Sequence, residues 1–154
     1  MKILLDTHYL IWSFTNPEKL PQWAADLLVS EESEVFFSQA SLWEIAIKFN
    51  SGKLVIKGMT PDELYEEIEM SHFQCLPLRN EELISFHRLP IEHRDPFDRI
   101  MIWQCIRQNI HFLSVDGAVS NSSRRVGINN WKPTPMQESS ISLSMRRLLN
   151  MKQE

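Results

Sequence analysis

Cysteine is scarce in this chain. There are two in 154 residues, Cys75 and Cys105, with no C-x-x-C and no histidine pair at ligand spacing. That excludes a disulfide-stapled scaffold and argues against a thiolate–imidazole metal site. Both thiols sit among apolar neighbours and are expected to be buried and free. Glycine is scarcer than usual, at four, and no repeat or low-complexity tract is visible, which excludes collagen-like and solenoid architectures. No apolar run approaches the ~18 residues that a membrane span requires, so no membrane partner is expected. The opening stretch MKILLDTHYLIW meets an acid at Asp6 and carries no signal-peptide cleavage pattern, so a cytoplasmic location is expected. An excess of positive charge is also lacking: 16 basic against 20 acidic residues leave a net charge of −4, which excludes a uniformly basic, nucleic-acid-coating surface.

What is present suits one globular domain. A chain of this length buries roughly two-thirds of its unfolded surface, and 43% hydrophobic and 23% charged residues are ordinary values. Ile3-Leu4-Leu5, bounded by Asp6, fits a strand buried on both faces. A helix follows through Leu10, Ile11 and Phe14 until Asn16-Pro17 stops it. Residues 21–30 read as a second helix with Trp23, Leu27 and Leu28 inward. Val35-Phe36-Phe37 is a second strand, and Ser38 caps a helix whose inward face is Leu42, Ile45, Ala46 and Phe49, ended by Gly52. Thr60-Pro61-Asp62-Glu63 is a capping box with proline at the first helical position. The five acids of residues 62–69 then form a solvated helix face. Residues 73–78 read as a strand, 80–89 as a helix, a further helix opens at Asp95-Pro96, and 111–115 form a strand ending at Asp116. Residues 128–131 allow a fifth strand. Alternating strands and helices argue an α/β fold with a central parallel sheet of four to five short strands. The core is expected over residues 1–131. The Pro- and Ser-containing segment 132–154 lies outside it, as a docking helix or a disordered tail.

Four acids have unusual surroundings. Asp6 and Asp116 each follow an apolar strand directly, which puts them at the C-terminal rim where parallel sheets bind ligands. Asp98 falls in the first turn of a helix on the same rim. Glu44 lies ~9 Å along the helix after Ser38, at ~1.5 Å per residue, within reach of a long side chain. Its neighbours Leu42, Trp43, Ile45, Ala46 and Ile47 leave little polar surface around it. Each also has a bland reading: a helix cap for Asp6 and Asp116, a helix-dipole partner for Asp98, a surface residue for Glu44. Asp95, just before Pro96, is first of all a helix cap. Carboxylates that converge repel by about 4 kcal/mol per pair at ~4 Å, and protons or cations must relieve this. Oxygen-only ligands select a hard ion such as Mg²⁺ or Mn²⁺. Setting these four acids aside leaves 16 acidic against 16 basic residues. From 79 to 125 every base is arginine, the residue that forks onto phosphate oxygens. Scattered solubilising charge is the competing reading.

Leu4-Leu5-Asp6-Thr7-His8, Ser41-Leu42-Trp43-Glu44-Ile45, Arg94-Asp95-Pro96-Phe97-Asp98-Arg99 and Leu113-Ser114-Val115-Asp116 occur in this order. Together they resemble the PIN-domain ribonucleases, in the VapC-type group of toxins from bacterial toxin–antitoxin pairs, over roughly residues 2–131. The resemblance implies a three-layer α/β/α fold and a metal-dependent endoribonuclease. It assigns the family's acids to Asp6, Glu44, Asp98 and Asp116, and supporting hydroxyls to Thr7 and Ser114. The family usually has threonine where Ser114 stands, and small residues where Trp103 and Cys105 stand. It further implies an RNA substrate, a cognate antitoxin that pushes a segment across the site, and a homodimer.

In this reading Asp6, Asp98 and Asp116 would hold one or two Mg²⁺ (or Mn²⁺), while Glu44 would ligate a metal or orient a water. Arg99 would contact RNA phosphate or form a surface ion pair, and His8 would place substrate or pack. Two alternatives remain at this level. One is a catalytically idle PIN-like binding module. The other is a phosphatase or receiver-like protein with Asp6 as nucleophile or acceptor. Against the latter, His8 stands where a second Asp is usual, and residues 99–125 contain no lysine.

Overall fold

The structure is a computed structural model that describes residues 1–89 and 95–114. Among the described residues, four strands, β1 (Lys2–Leu5), β2 (Glu34–Ser38), β3 (Gln74–Leu76) and β4 (His111–Leu113), form one sheet in the order β3-β2-β1-β4. Every pairing is parallel. The α-helices among the described residues are α1 (Thr7–Thr15), α2 (Gln22–Val29), α3 (Gln39–Asn50), α4 (Pro61–Met70), α5 (Asn80–Ser85) and α6 (Pro96–Gln108). The expected α/β architecture is present. The possible fifth strand at 128–131 and the segment 132–154 lie outside the described residues.

Strand alternation divides the core into two layers. Ile3 and Leu5 point to one face, with Val35, Phe37 and Leu113, and are covered by Tyr9, Leu10 and Ile11 of α1, Ala24 and Leu28 of α2, and Leu64 and Ile68 of α4. Leu4 and Phe112 point to the other, covered by Ile100 through Trp103, Cys105 and Ile106 of α6. Residues 100–106 are all buried, which one helix stripe cannot produce. The middle of α6 is therefore enclosed, with β4, α3 and α5 packed against the helix, while Pro96 and Arg107 towards its ends are exposed. Trp103 fills this position completely and donates its indole N–H to Ser85 Oγ at 3.0 Å.

Local chemistry sets the element ends. Thr60 and Glu63 form the reciprocal capping box of α4, and its acids are exposed while Leu64 and Ile68 are buried. Gly52, at φ 72°, takes the left-handed conformation that ends the turn after α3. Asn109 does the same after α6, at φ 59°, and sends the chain directly into β4.

Three expectations need correction. Trp23 is 40% exposed, and Ala24 takes the inward place on α2 with Leu28. The inward side of α3 is Ala40, Ser41, Glu44 and Ile45, while Ala46 and Phe49 are exposed. The helix is rotated so that its polar residues face the strand ends. Cys75 is exposed because β3 is a short edge strand, whereas Cys105 is buried.

Candidate active site

The sheet register brings three polar residues level at one rim. Leu5 lies opposite Phe37 on one side and Leu113 on the other, so the next residues, Asp6, Ser38 and Ser114, stand side by side where the strands end. All three are buried. A buried polar group needs a partner, and two of these find theirs in the helices that start there. Asp6 is the N-cap of α1, its Oδ1 accepting the Tyr9 N–H at 2.8 Å. Ser38 is the N-cap of α3, accepting from the Ala40 N–H at 3.0 Å. Its hydroxyl donates to Gln104 Oε1 at 2.6 Å, and the Gln104 amide donates onward to the Pro77 carbonyl at 3.1 Å. One buried glutamine thus pins α6 to the ends of two strands.

Glu44 points into this rim and is 2% exposed. Residue spacing explains it: Ser41, Glu44 and Lys48 recur at three and four along α3 and share one face. The Thr7 hydroxyl donates to Glu44 Oε1 at 2.5 Å and stands 3.2 Å from Ser41 Oγ, which in turn meets Met101 Sδ of α6 at 3.2 Å. Glu44 Oε2 forms an ion pair with the Lys48 ammonium. The same ammonium lies 3.8 Å from Asp95 Oδ2. Burial by itself lowers the pKa of Lys48, but Glu44, Asp95 and Asp98 outweigh it and hold the ammonium above its ordinary range.

Asp95 is the N-cap of α6. Its Oδ1 accepts the N–H groups of Phe97 at 2.9 Å and Asp98 at 3.4 Å, so it caps with one oxygen and faces Lys48 with the other. Asp98 sits in the first turn of the same helix, within electrostatic reach of Lys48. Segments 6–7, 44–48 and 95–98 therefore meet at one rim through Thr7, Glu44 and Lys48. Ser114 is buried there as well, while Asp116 lies outside the described residues.

Arg99 is placed differently. Its Nη2 donates to the Leu89 carbonyl at 3.1 Å, and the guanidinium covers the Phe86 ring at 4.5 Å. Its Nε is buried without a hydrogen-bond partner among the described residues. The side chain clamps the turn after α5 onto α6. His8 is exposed and lies edge-on to Trp12, 5.9 Å between ring centroids. Lys48 and Gln104 had no role in the sequence reading. For Lys48 the i,i+4 spacing from Glu44 was the available signal. For Gln104 there was none, since a polar residue in an apolar helix run does not announce its partner.

The donors at this rim are oxygens, which suits a hard divalent cation. Asp6 and Asp98 are the residues that would hold it. Both Glu44 oxygens already have donors, from Thr7 and from Lys48. Among the described residues, no three His, Cys, Asp or Glu side chains come together as a metal-holding group. An apolar hollow of about 230 Å³ between α3 and α4, lined by Leu42, Ile45, Leu64 and Tyr65 among others, shares none of the acids at the rim. No helix among the described residues is long and apolar enough to cross a membrane.

Comparison with curated proteins and with solved structures finds no match. A family model of the PIN domain matches residues 3–122, which includes every acid of the rim. PIN domains are generally nucleases, and they typically use divalent metals. With the four-stranded parallel sheet, its covering helices and a match over most of its length, the chain belongs to the PIN domain family.

Proposed function

We propose that this nuclease-type domain is a metal-dependent endoribonuclease that hydrolyses RNA phosphodiester bonds, and that it is the VapC-type toxin of a toxin–antitoxin pair. The observation that carries the reading is the meeting of three distant segments at the sheet rim, with Asp6 and Glu44 both buried and Glu44 tied to Thr7 and Lys48. Buried carboxylates carry a desolvation cost that packing alone would not select, and nuclease chemistry uses them. Magnesium or manganese bound by Asp6, Asp98 and Asp116 would acidify a water and steady charge on the phosphate.

The chain's own residues do the rest. Asp6 is held by its α1 cap, so its second oxygen has a fixed direction. Asp98 is presented by the first turn of α6, whose Phe97 and Asp98 N–H groups are capped by Asp95 Oδ1. Thr7 and Lys48 hold Glu44 in one rotamer, from which it orients a water. Ser114 packs under the rim. A cognate antitoxin would silence the site by laying a basic side chain among these carboxylates, and a homodimer is the assembly proposed with it. Cytoplasmic RNA is the substrate class.

The test is incubation of the purified protein with total cellular RNA, with Mg²⁺ and with EDTA, followed by mapping of new ends. Fragments are expected only with the metal, and none from Asp6→Asn or Asp98→Asn. Cleavage by both variants would refute the site. RNA binding with no fragments would return the idle binding module.

A further inference from the structure

Lys48 is a cation among the acids Glu44, Asp95 and Asp98, and the nuclease reading above asks of it only that it hold Glu44 in place. Its ammonium is in contact with Glu44 Oε2 and lies 3.8 Å from Asp95 Oδ2. The Glu44 side chain is 3% exposed and that of Lys48 32%, so the pair is shielded on one side and open on the other. The other Glu44 oxygen accepts from Thr7 at 2.5 Å.

We propose that Lys48 is a positioning residue that takes Glu44 out of the metal's coordination sphere, leaving the divalent ion to the aspartates. The inference rests on the metal-nuclease reading and deepens it. A carboxylate with a hydroxyl on one oxygen and an ammonium on the other is already neutralised, and a metal taking one of its remaining lone pairs would stand close to that ammonium. For a divalent ion to bind Glu44 it must first displace the ammonium, or stand beside it at the cost of like-charge repulsion. Lys48 also links α3 to the N-terminus of α6 through Asp95, the cap that presents Asp98. It therefore fixes Glu44 as an oriented anion and keeps the two helix segments in register. Removal of the ammonium leaves a buried Glu44 with a single hydroxyl donor. Its charge then has to be met by a proton or by the metal itself.

The experiment is calorimetric titration of the full chain with Mn²⁺, freed of bound inhibitor. The proteins are the parent, Lys48→Met, Lys48→Arg, Glu44→Gln, Asp6→Asn and the double variant Lys48→Met/Glu44→Gln, with melting curves recorded without metal. Lys48→Met is expected to bind Mn²⁺ roughly tenfold more tightly than the parent, through relief of like-charge repulsion, and to melt lower until Mn²⁺ is added. Lys48→Arg should behave like the parent. The double variant should lose the gain, because the gain belongs to Glu44. Glu44→Gln alone should lower the affinity less than Asp6→Asn does, because it leaves the Lys48 ammonium less neutralised but removes no ligand.

A Lys48→Met affinity equal to or weaker than the parent's overturns the proposal. So does a Glu44→Gln loss as large as that of Asp6→Asn, which would make Glu44 a ligand. If Lys48→Met does not fold, the Glu44→Gln and Asp6→Asn pair decides by the same criterion. A parent that binds no Mn²⁺ sinks the nuclease reading alone if Lys48→Met then gains binding, and sinks both if it does not.

Discussion

Leu4 and Asp6 are two residues apart and almost equally hidden, Leu4 with no exposed surface and Asp6 with 2%. Leu4 lies in the middle of the sheet under Met101 and Trp103, where burial removes apolar surface from water and is favourable by itself. Asp6 lies one step past the strand, where the same burial is unfavourable and has to be offset by the Tyr9 N–H and its surroundings. Burial alone therefore does not separate scaffold from site in this molecule. The kind of partner each buried atom has is what separates them. The middle of the sheet is held by packing, and its C-terminal rim is held by hydrogen bonds and by the ion pairs of Lys48 with Glu44 and Asp95.

The sharpest test of that contrast is truncation in the middle against neutralisation at the rim. Leu4→Ala should cost about 2–5 kcal/mol of folding stability, read from the urea midpoint, with activity lost only as the protein unfolds. Asp6→Asn should do the reverse. Asparagine still caps α1, so the midpoint should move by less than ~1 kcal/mol, while RNA cleavage falls by ~100-fold or more. A large stability loss in Asp6→Asn would mean that the rim, too, is scaffold.

Between these extremes stands Thr7. Thr7→Val keeps the shape and leaves Glu44 Oε1 without its donor, an expected cost of about 1–3 kcal/mol, again read by urea denaturation. Thr7→Ser should recover most of it. The cysteines sharpen the contrast without touching stability. Burial, and to a lesser degree the charge of Glu82, pushes the Cys105 thiol well above 9.0, and it has no solvent access. Native protein should therefore titrate one thiol with a disulfide reagent, Cys75, and denatured protein two.

The smallest effect belongs to the opposite end of the sheet. His111 opens β4 beside Ile3. Burial first, and the N-terminal ammonium second, lower its pKa below 6.5. The unfolded chain thus takes up a proton there before the folded chain does. The contribution of His111 is complete above 6.5 and is lost as pH falls through its lowered value. His111→Gln should flatten that part of the acid limb of a pH–melting curve, by a small amount because the ring is partly solvated.

Much of this was legible from residues alone, for identifiable reasons. Ile3-Leu4-Leu5 and Val35-Phe36-Phe37 announce strands because a sheet covered on both faces leaves no polar alternation. Thr60 to Glu63 and Asp95-Pro96 announce helix starts because caps are local chemistry. Trp23 and Phe49 misled because helical spacing gives a stripe and not its rotation. On α3 the stripe turns until Ser41 and Glu44, not Ala46 and Phe49, face the strand ends. Arg99 was not placed by its position next to an acid motif, which says nothing of where a long side chain goes. It turned instead to Phe86 and the Leu89 carbonyl.

The order of strands and helices along the chain and the apolar identity of the sheet were determined by sequence, and so was the candidacy of the acids, because each depends on neighbours within a few residues. The partners of those acids were decided by tertiary structure. Thr7 with Glu44, Lys48 with Asp95 and Ser38 with Gln104 are 37, 47 and 66 residues apart. Only the closing of a parallel sheet sets such groups within hydrogen-bonding or ion-pair reach, and no local preference of the chain encodes that distance.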